Sequence, residues 1–234
     1  MRMVPARRGQ FAQRPHYKLP EIERACGDAL RHVGLMPEIP EAIRIDRFVE
    51  KYFRVSPTYK PLPTGVLGFT EFGPDGVKAI VVTTALDDEG GPVAERRIRT
   101  TLAHEAGHGL LHAHLFALCE KPRGLFDEGH NHGPEIMCRD VCGATAANRT
   151  YDGKWWEFQA NRAIGSLLMP SRLARLAAAP FCASDGQLGI PVVKEEQREH
   201  LARELAELFD VNPIVARIRL SEVYPAPAGG QLCL

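Results

Sequence analysis

The chain has 234 residues, 44% hydrophobic and 25% charged, with 29 Lys and Arg against 29 Asp and Glu. That length supports one domain with a sizeable core. Zero formal net charge argues against a surface that coats nucleic acid, and no run approaches the roughly 18 uninterrupted apolar residues of a membrane span.

Residues 1–19 are basic, with Arg2, Arg7, Arg8, Arg14 and Lys18 and no acidic residue. They lack the apolar run of a secretory signal. The expectation is a disordered arm, with a weak contact to an acidic partner as the alternative. Residues 20–222 read as a single domain and 223–234, rich in Pro, Ala and Gly, as a flexible tail. Pro20 opens a helical pattern carrying Ile22, Ala25, Cys26, Ala29, Leu30 and Val33 on one side, stopped by Gly34. A second helix is predicted from Ile43 to Phe53, followed by an extended passage through Pro57, Pro61 and Pro63. Two β-rich runs, Val66–Phe72 and Val77–Thr84, flank the turn Gly73-Pro74-Asp75-Gly76 and predict an antiparallel hairpin. A loop from Asp87 to Pro92 leads into a helix over about Glu95–Leu115. Residues 119–154 are irregular and rich in Gly, Cys and His. A helix from Trp155 stops at Met169, before Pro170. After a Pro/Gly-rich passage to Pro191 comes an amphipathic helix striped by Leu201, Leu205 and Leu208, read as core with a partner-binding face as the alternative. Asn212-Pro213 starts a last helix through Leu220.

The chemistry lies in His104-Glu105-Ala106-Gly107-His108. Residues four apart on a helix lie one above the other, so both imidazoles can meet one cation while Glu105 stands alongside. Zinc suits such a pair: a catalytic site takes three protein ligands and leaves a position for water. His112 and His114 continue the same helix, whose rise of about 5.4 Å per turn carries them away from the metal. They read as surface histidines or as partners of the ligands. The better third ligand is Glu157, a carboxylate opening a helix whose remainder is apolar, where a charge is costly unless paired or metal-bound. The alternative is an exposed carboxylate favoured by the helix dipole. Asn161, one turn on, shares that face and could orient a ligand histidine.

Two blocks carry a family resemblance. Thr100-Thr101-Leu102-Ala103-His104-Glu105-Ala106-Gly107-His108 followed by Leu111-His112, and Glu157-x-x-Ala160-Asn161 ending in Leu167-Leu168-Met169-Pro170, resemble the ImmA/IrrE-type metallopeptidases over roughly residues 40–220. The resemblance implies an α+β, zincin-like fold, mostly helical, with a small antiparallel hairpin packed on the His-Glu helix. It implies one catalytic zinc on His104, His108 and Glu157, with Glu105 as catalytic carboxylate of a zinc metalloendopeptidase. The implied substrate is a regulatory protein, a repressor of the helix-turn-helix type; charge and composition lead to the expectation of no direct nucleic-acid or membrane partner. The rival is a zinc-containing regulator that binds a repressor without cutting it. In the expected mechanism Glu105 accepts a proton from the zinc-activated water and passes it to the departing amine, with substrate extended along a strand edge of the hairpin sheet.

The insertion over 119–154 departs from the family and holds Cys119, His130, His132, Cys138 and Cys142. Thiolates and imidazoles are good zinc ligands, so a second, structural zinc is one reading; free thiols in a mobile lid are the other. His130, His132 or Tyr151 could then reach over the metal toward a developing oxyanion. Trp155-Trp156 reads as an anchor for the Glu157 helix ahead of a ligand-stacking pair. Six cysteines are too sparse for a disulfide scaffold, so a reducing cytoplasm is expected.

Overall fold

The basic opening stretch is paired rather than free. In the computed structural model, which describes residues 2–5, 13–117, 135–139, 155–183 and 191–225, Arg2–Pro5 (β1) and Gln13–His16 (β2) form an antiparallel pair with Arg2 opposite His16. The expectation of a disordered arm over 1–19 is therefore corrected for these eight positions. Ladder hydrogen bonds belong to the backbone and need no apolar pattern, and Pro15 is buried against the domain.

Leu19–His32 (α1) buries Ile22, Cys26, Ala29 and Leu30, and Ile45–Phe53 (α2) buries Ile45, Phe48 and Val49. Thr58–Lys60 (β3) is the extended passage forced by the surrounding prolines. Val66–Gly73 (β4) and Gly76–Thr83 (β5) make the hairpin, with Gly73 opposite Gly76. Gly76 sits at φ +112°, a region that favours glycine and that the tight turn requires.

Where a loop is expected at Asp87, the chain forms a short helix, Thr84–Glu89 (α3), because the Thr83 side chain accepts from the Ala85 amide and caps it. Gly90 and Gly91, both at positive φ, redirect the chain into the long helix Gly91–Ala117 (α4).

Beyond it, Glu135–Arg139 (β6) joins the sheet, whose order is β3-β5-β4-β6. β3 runs parallel to β5, while β6 lies antiparallel to β4. Both hairpin strands have a neighbour on their outer side, so the edges of this sheet are β3 and β6. A peptide adding to the β4 side of the sheet meets β6.

Trp155–Leu168 (α5) lies against α4, and the two helices form the centre of the domain with Ala103, Ala106, Ala160 and Ala163 fully buried between sheet and helices. Gly107 sets how close they come: a Cβ there would stand 2.8 Å from the Ala163 Cβ and 3.2 Å from the Ala160 carbonyl oxygen. Any larger residue must push the helices apart. We expect Gly107→Val to cost about 1–3 kcal/mol, the range for overpacking a filled core, read as a lowered denaturation midpoint at unchanged slope.

Ser171–Ala178 (α6) occupies part of the Pro/Gly-rich passage before Pro191, and Cys182–Ala183 (β7) pairs with Val192–Val193 (β8). Glu195–Leu208 (α7) buries Leu201, Ala202, Leu205 and Ala206. Leu208 is exposed and Phe209 is buried instead, so the expected stripe is right at Leu201 and Leu205 and shifts by one residue at its end. Pro213–Val223 (α8) follows, and Val223 and Tyr224 are buried, so the packed structure continues past the expected boundary at 222. Arg219 is buried in α8, donating Nε to the Met169 carbonyl at 2.8 Å and pairing with Glu222 and Glu23. The described residues form an α+β structure, mostly helical with small sheets. None of the described helices is long and apolar enough to cross a membrane.

Candidate metal centre

α4 places His104 and His108 one turn apart on the face turned to α5, and Glu157 reaches them from the first turn of α5. His104 Nε2 and His108 Nε2 are 3.0 Å apart. Glu157 Oε2 lies 3.1 Å from His104 Nε2, and Oε1 lies 3.6 Å from His108 Nε2. His104 and His108 are buried and the Glu157 side chain is 21% exposed, so the group is covered by protein except on the carboxylate side. Three ligand atoms from residues 104, 108 and 157 thus lie within 4.8 Å of one another and could hold a metal ion.

The donor set fits zinc. Ligand atoms about 2.0–2.1 Å from a tetrahedral ion stand about 3.3 Å apart, and the separations of 3.0, 3.1 and 3.6 Å bracket that value. Asn161 Oδ1 lies 3.0 Å from His104 Nδ1. An amide oxygen only accepts, so His104 Nδ1 donates and its Nε2 is left as a lone pair facing the carboxylate. Lone pairs aimed at one another are repulsive without a cation between them.

The electrostatics agree with ligand-ready forms. Burial pushes His108 down, against the pull of Glu157, which favours the neutral imidazole. Burial pushes the Glu157 carboxyl up, but contact with the His104 and His108 rings outweighs it and holds the group well below the ordinary carboxylate range. The carboxyl is therefore held in its ionised form, the form that binds a metal.

Glu105 is fully buried and turned toward the sheet. The Thr70 hydroxyl, from β4, lies 2.6 Å from Glu105 Oε2 and donates to it. Gly68 makes this approach possible: a Cβ there would stand 2.7 Å from Thr101 Cγ2 and 2.8 Å from the Val81 carbonyl oxygen. The strand can lie flush on α4 only with glycine at that position.

His112 is fully buried beside the ligand pair, its Nδ1 3.0 Å from His108 Nδ1 and its Nε2 3.0 Å from Gln159 Oε1. Burial, helped by the neighbouring His108, pushes its pKa well down, so it is a neutral ring. His114 is partly buried and lies further along α4. Trp155 packs edge-on against His112 at 5.4 Å and is buried with Phe72 and Leu115, an anchor for the start of α5.

Cys119, His130, His132, Cys142 and Tyr151 lie outside the described residues. Cys138 falls in β6, its backbone opposite Gly68. Thr70 and Gln159 have no counterpart among the candidates drawn from the sequence. An available signal was polarity at inward positions: a threonine in an apolar strand and a glutamine on an apolar helix each need a partner. No protein-family model matches the chain, and no curated protein matches it.

Proposed function

We propose that the chain is a zinc-dependent metallopeptidase with a zincin-like fold, acting on a regulatory protein in a reducing cytoplasm. The observation that carries this reading is the meeting of His104, His108 and Glu157 from two helices, beside a buried carboxylate that is not one of the three. A purely structural site has no use for Glu105. The motif resemblance supplies the substrate class, a repressor carrying a helix-turn-helix domain. Cys26 and Cys182, the described cysteines with placed side chains, are both free thiols, which suits a reducing compartment.

Zinc, when bound, supplies Lewis acidity, acidifying water and polarising a peptide carbonyl. Glu105 takes the proton of the attacking water on its carboxylate and returns it to the departing amine. Thr70 holds that carboxylate in place through its hydroxyl. His104 is held by Asn161, so the ligand set is rigid before substrate arrives.

The test is to incubate the purified chain with helix-turn-helix repressors encoded near its gene, with and without chelator, and to weigh the products by intact mass spectrometry. Scission that stops with chelator and returns with zinc supports the reading. Tight association without scission overturns it in favour of a regulator that only binds. Elemental mass spectrometry is expected to give one zinc per chain; two would bring Cys119, His130, His132, Cys138 and Cys142 into a second site. Thr70→Val is expected to keep zinc and lower the cleavage rate about 10–100-fold, since a hydrogen bond to a charged group contributes about 1.5–3 kcal/mol. An unchanged rate would remove Thr70 from the machinery.

A further inference from the structure

Three groups beside the ligand pair touch no position a cation would take, yet they form one continuous chain ending on His108. The Pro15 carbonyl oxygen, in β2, accepts from Gln159 Nε2 at 2.7 Å. Gln159 Oε1 lies 3.0 Å from His112 Nε2, and His112 Nδ1 lies 3.0 Å from His108 Nδ1. Gln159 is 5% exposed and the two rings 0%, so each link is made within the protein.

Each link has only one allowed direction. A peptide carbonyl only accepts, so the NH2 of Gln159 faces Pro15 and its oxygen faces His112; the amide cannot be turned over. An amide oxygen only accepts, so His112 Nε2 carries the proton. A neutral imidazole has a single N–H, so His112 Nδ1 is bare and must accept. His108 Nδ1 then donates, and His108 Nε2 carries the lone pair. That nitrogen is the one 3.0 Å from His104 Nε2 and 3.6 Å from Glu157 Oε1.

We propose that Gln159 and His112 are positioning residues that relay the hydrogen-bond direction set by the Pro15 carbonyl to His108, holding its proton on Nδ1 and its Nε2 open toward the cation. The relay has a definite competitor. With no acceptor at Nδ1, His108 would place its proton on Nε2, the form a free imidazole prefers in water, and donate to the Glu157 carboxylate. A proton would then occupy the line between two ligands and would have to leave before a cation could bind. The strand pair β1–β2 thus has a part in the site, through one backbone oxygen far from it in sequence. The effect on affinity rests on the metal reading above, whereas the tautomers do not.

The test uses the full-length chain with 15N-labelled histidine, stripped of metal, in long-range 1H–15N correlation spectra that distinguish Nδ1–H from Nε2–H. Single-histidine variants assign the signals. The expected result is Nδ1–H at His108 and Nε2–H at His112; the opposite form at either ring overturns the relay. Zinc affinity is then measured by competition with a chelator. His112→Asn puts an amide oxygen at the position of the His112 Nδ1 that faces His108 Nδ1 and is expected to stay within about 3-fold of the parent. His112→Phe and Gln159→Leu are expected to bind about 10–100-fold more weakly, the usual range for groups that orient ligands. Equal weakening by His112→Asn and His112→Phe would mean that His112 only fills space, and would overturn the relay. If a variant fails to fold, the parent spectra still decide. A parent that binds no zinc defeats the metal reading alone and leaves the spectra to judge the relay.

Discussion

Glu105→Gln is expected to leave one zinc bound per chain and to lower peptide-bond cleavage by about 10²–10⁴-fold, the contribution of a positioned proton carrier. The substitution is nearly isosteric, and the amide oxygen can still accept from the Thr70 hydroxyl that now lies 2.6 Å from Glu105 Oε2. What it removes is the ability to take and return a proton. Metal retention follows because the converging ligand atoms come from His104, His108 and Glu157, not from Glu105. The fold is expected to survive: Glu105 is fully buried, and replacing a buried carboxylate by a neutral group of the same shape relieves desolvation. The thermal midpoint should therefore match or exceed that of the parent. Single-turnover cleavage of a repressor, with zinc content measured on the same sample, checks both halves. Cleavage within 10-fold of the parent would strip Glu105 of the role.

How much of this was legible beforehand depends on the range of each interaction. His104 and His108 could be read because their meeting is local: four positions on one helix bring two rings to one face. The hairpin was legible for a similar reason, a Gly/Pro/Asp turn between two β-branched runs. Glu157 is 53 positions from His104, and its candidacy rested on the cost of a charge at the head of an apolar helix. Gln159 and Pro15 are 144 positions apart, and the acceptor is a backbone oxygen, which leaves no mark in a sequence. The pairing of β1 with β2 escaped notice for the same reason, since a basic composition says nothing about ladder hydrogen bonds. Arg219 is buried between Glu222, Glu23 and the Met169 carbonyl, partners that lie on three different helices or their ends and that no local pattern marks. The shift from Leu208 to Phe209 is smaller. A helical stripe extended by rule overran the end of α7, where the chain turns and the next residue takes the core position.

Glu157→Ala is expected to abolish stable zinc binding, weakening affinity by at least about 100-fold, beyond the range for groups that merely orient ligands. The effect can be separated from folding. The Glu157 side chain is 21% exposed in the first turn of α5, where a carboxylate gains about 0.3–1 kcal/mol from the helix dipole. The dipole contribution and the contacts with His104 and His108 are both lost in the variant, so the zinc-free curve of each protein sets its own baseline. Zinc then supplies the contrast, because a ligand that binds only the folded state stabilises it by RT ln(1 + [L]/Kd). At free zinc equal to 100 times the parent Kd the parent gains about 2.7 kcal/mol, whereas a variant binding 100-fold more weakly gains about 0.4 kcal/mol. Denaturation curves with and without zinc read the difference directly. A variant that still gains about 2.7 kcal/mol would move the third ligand elsewhere, and Glu157 would then be only an acidic residue well placed at the start of its helix. The separations of 3.1 and 3.6 Å between its two oxygens and the two ligand nitrogens argue for the first outcome. A carboxylate and two imidazole nitrogens converging at these distances form the three-ligand set that a divalent cation takes up.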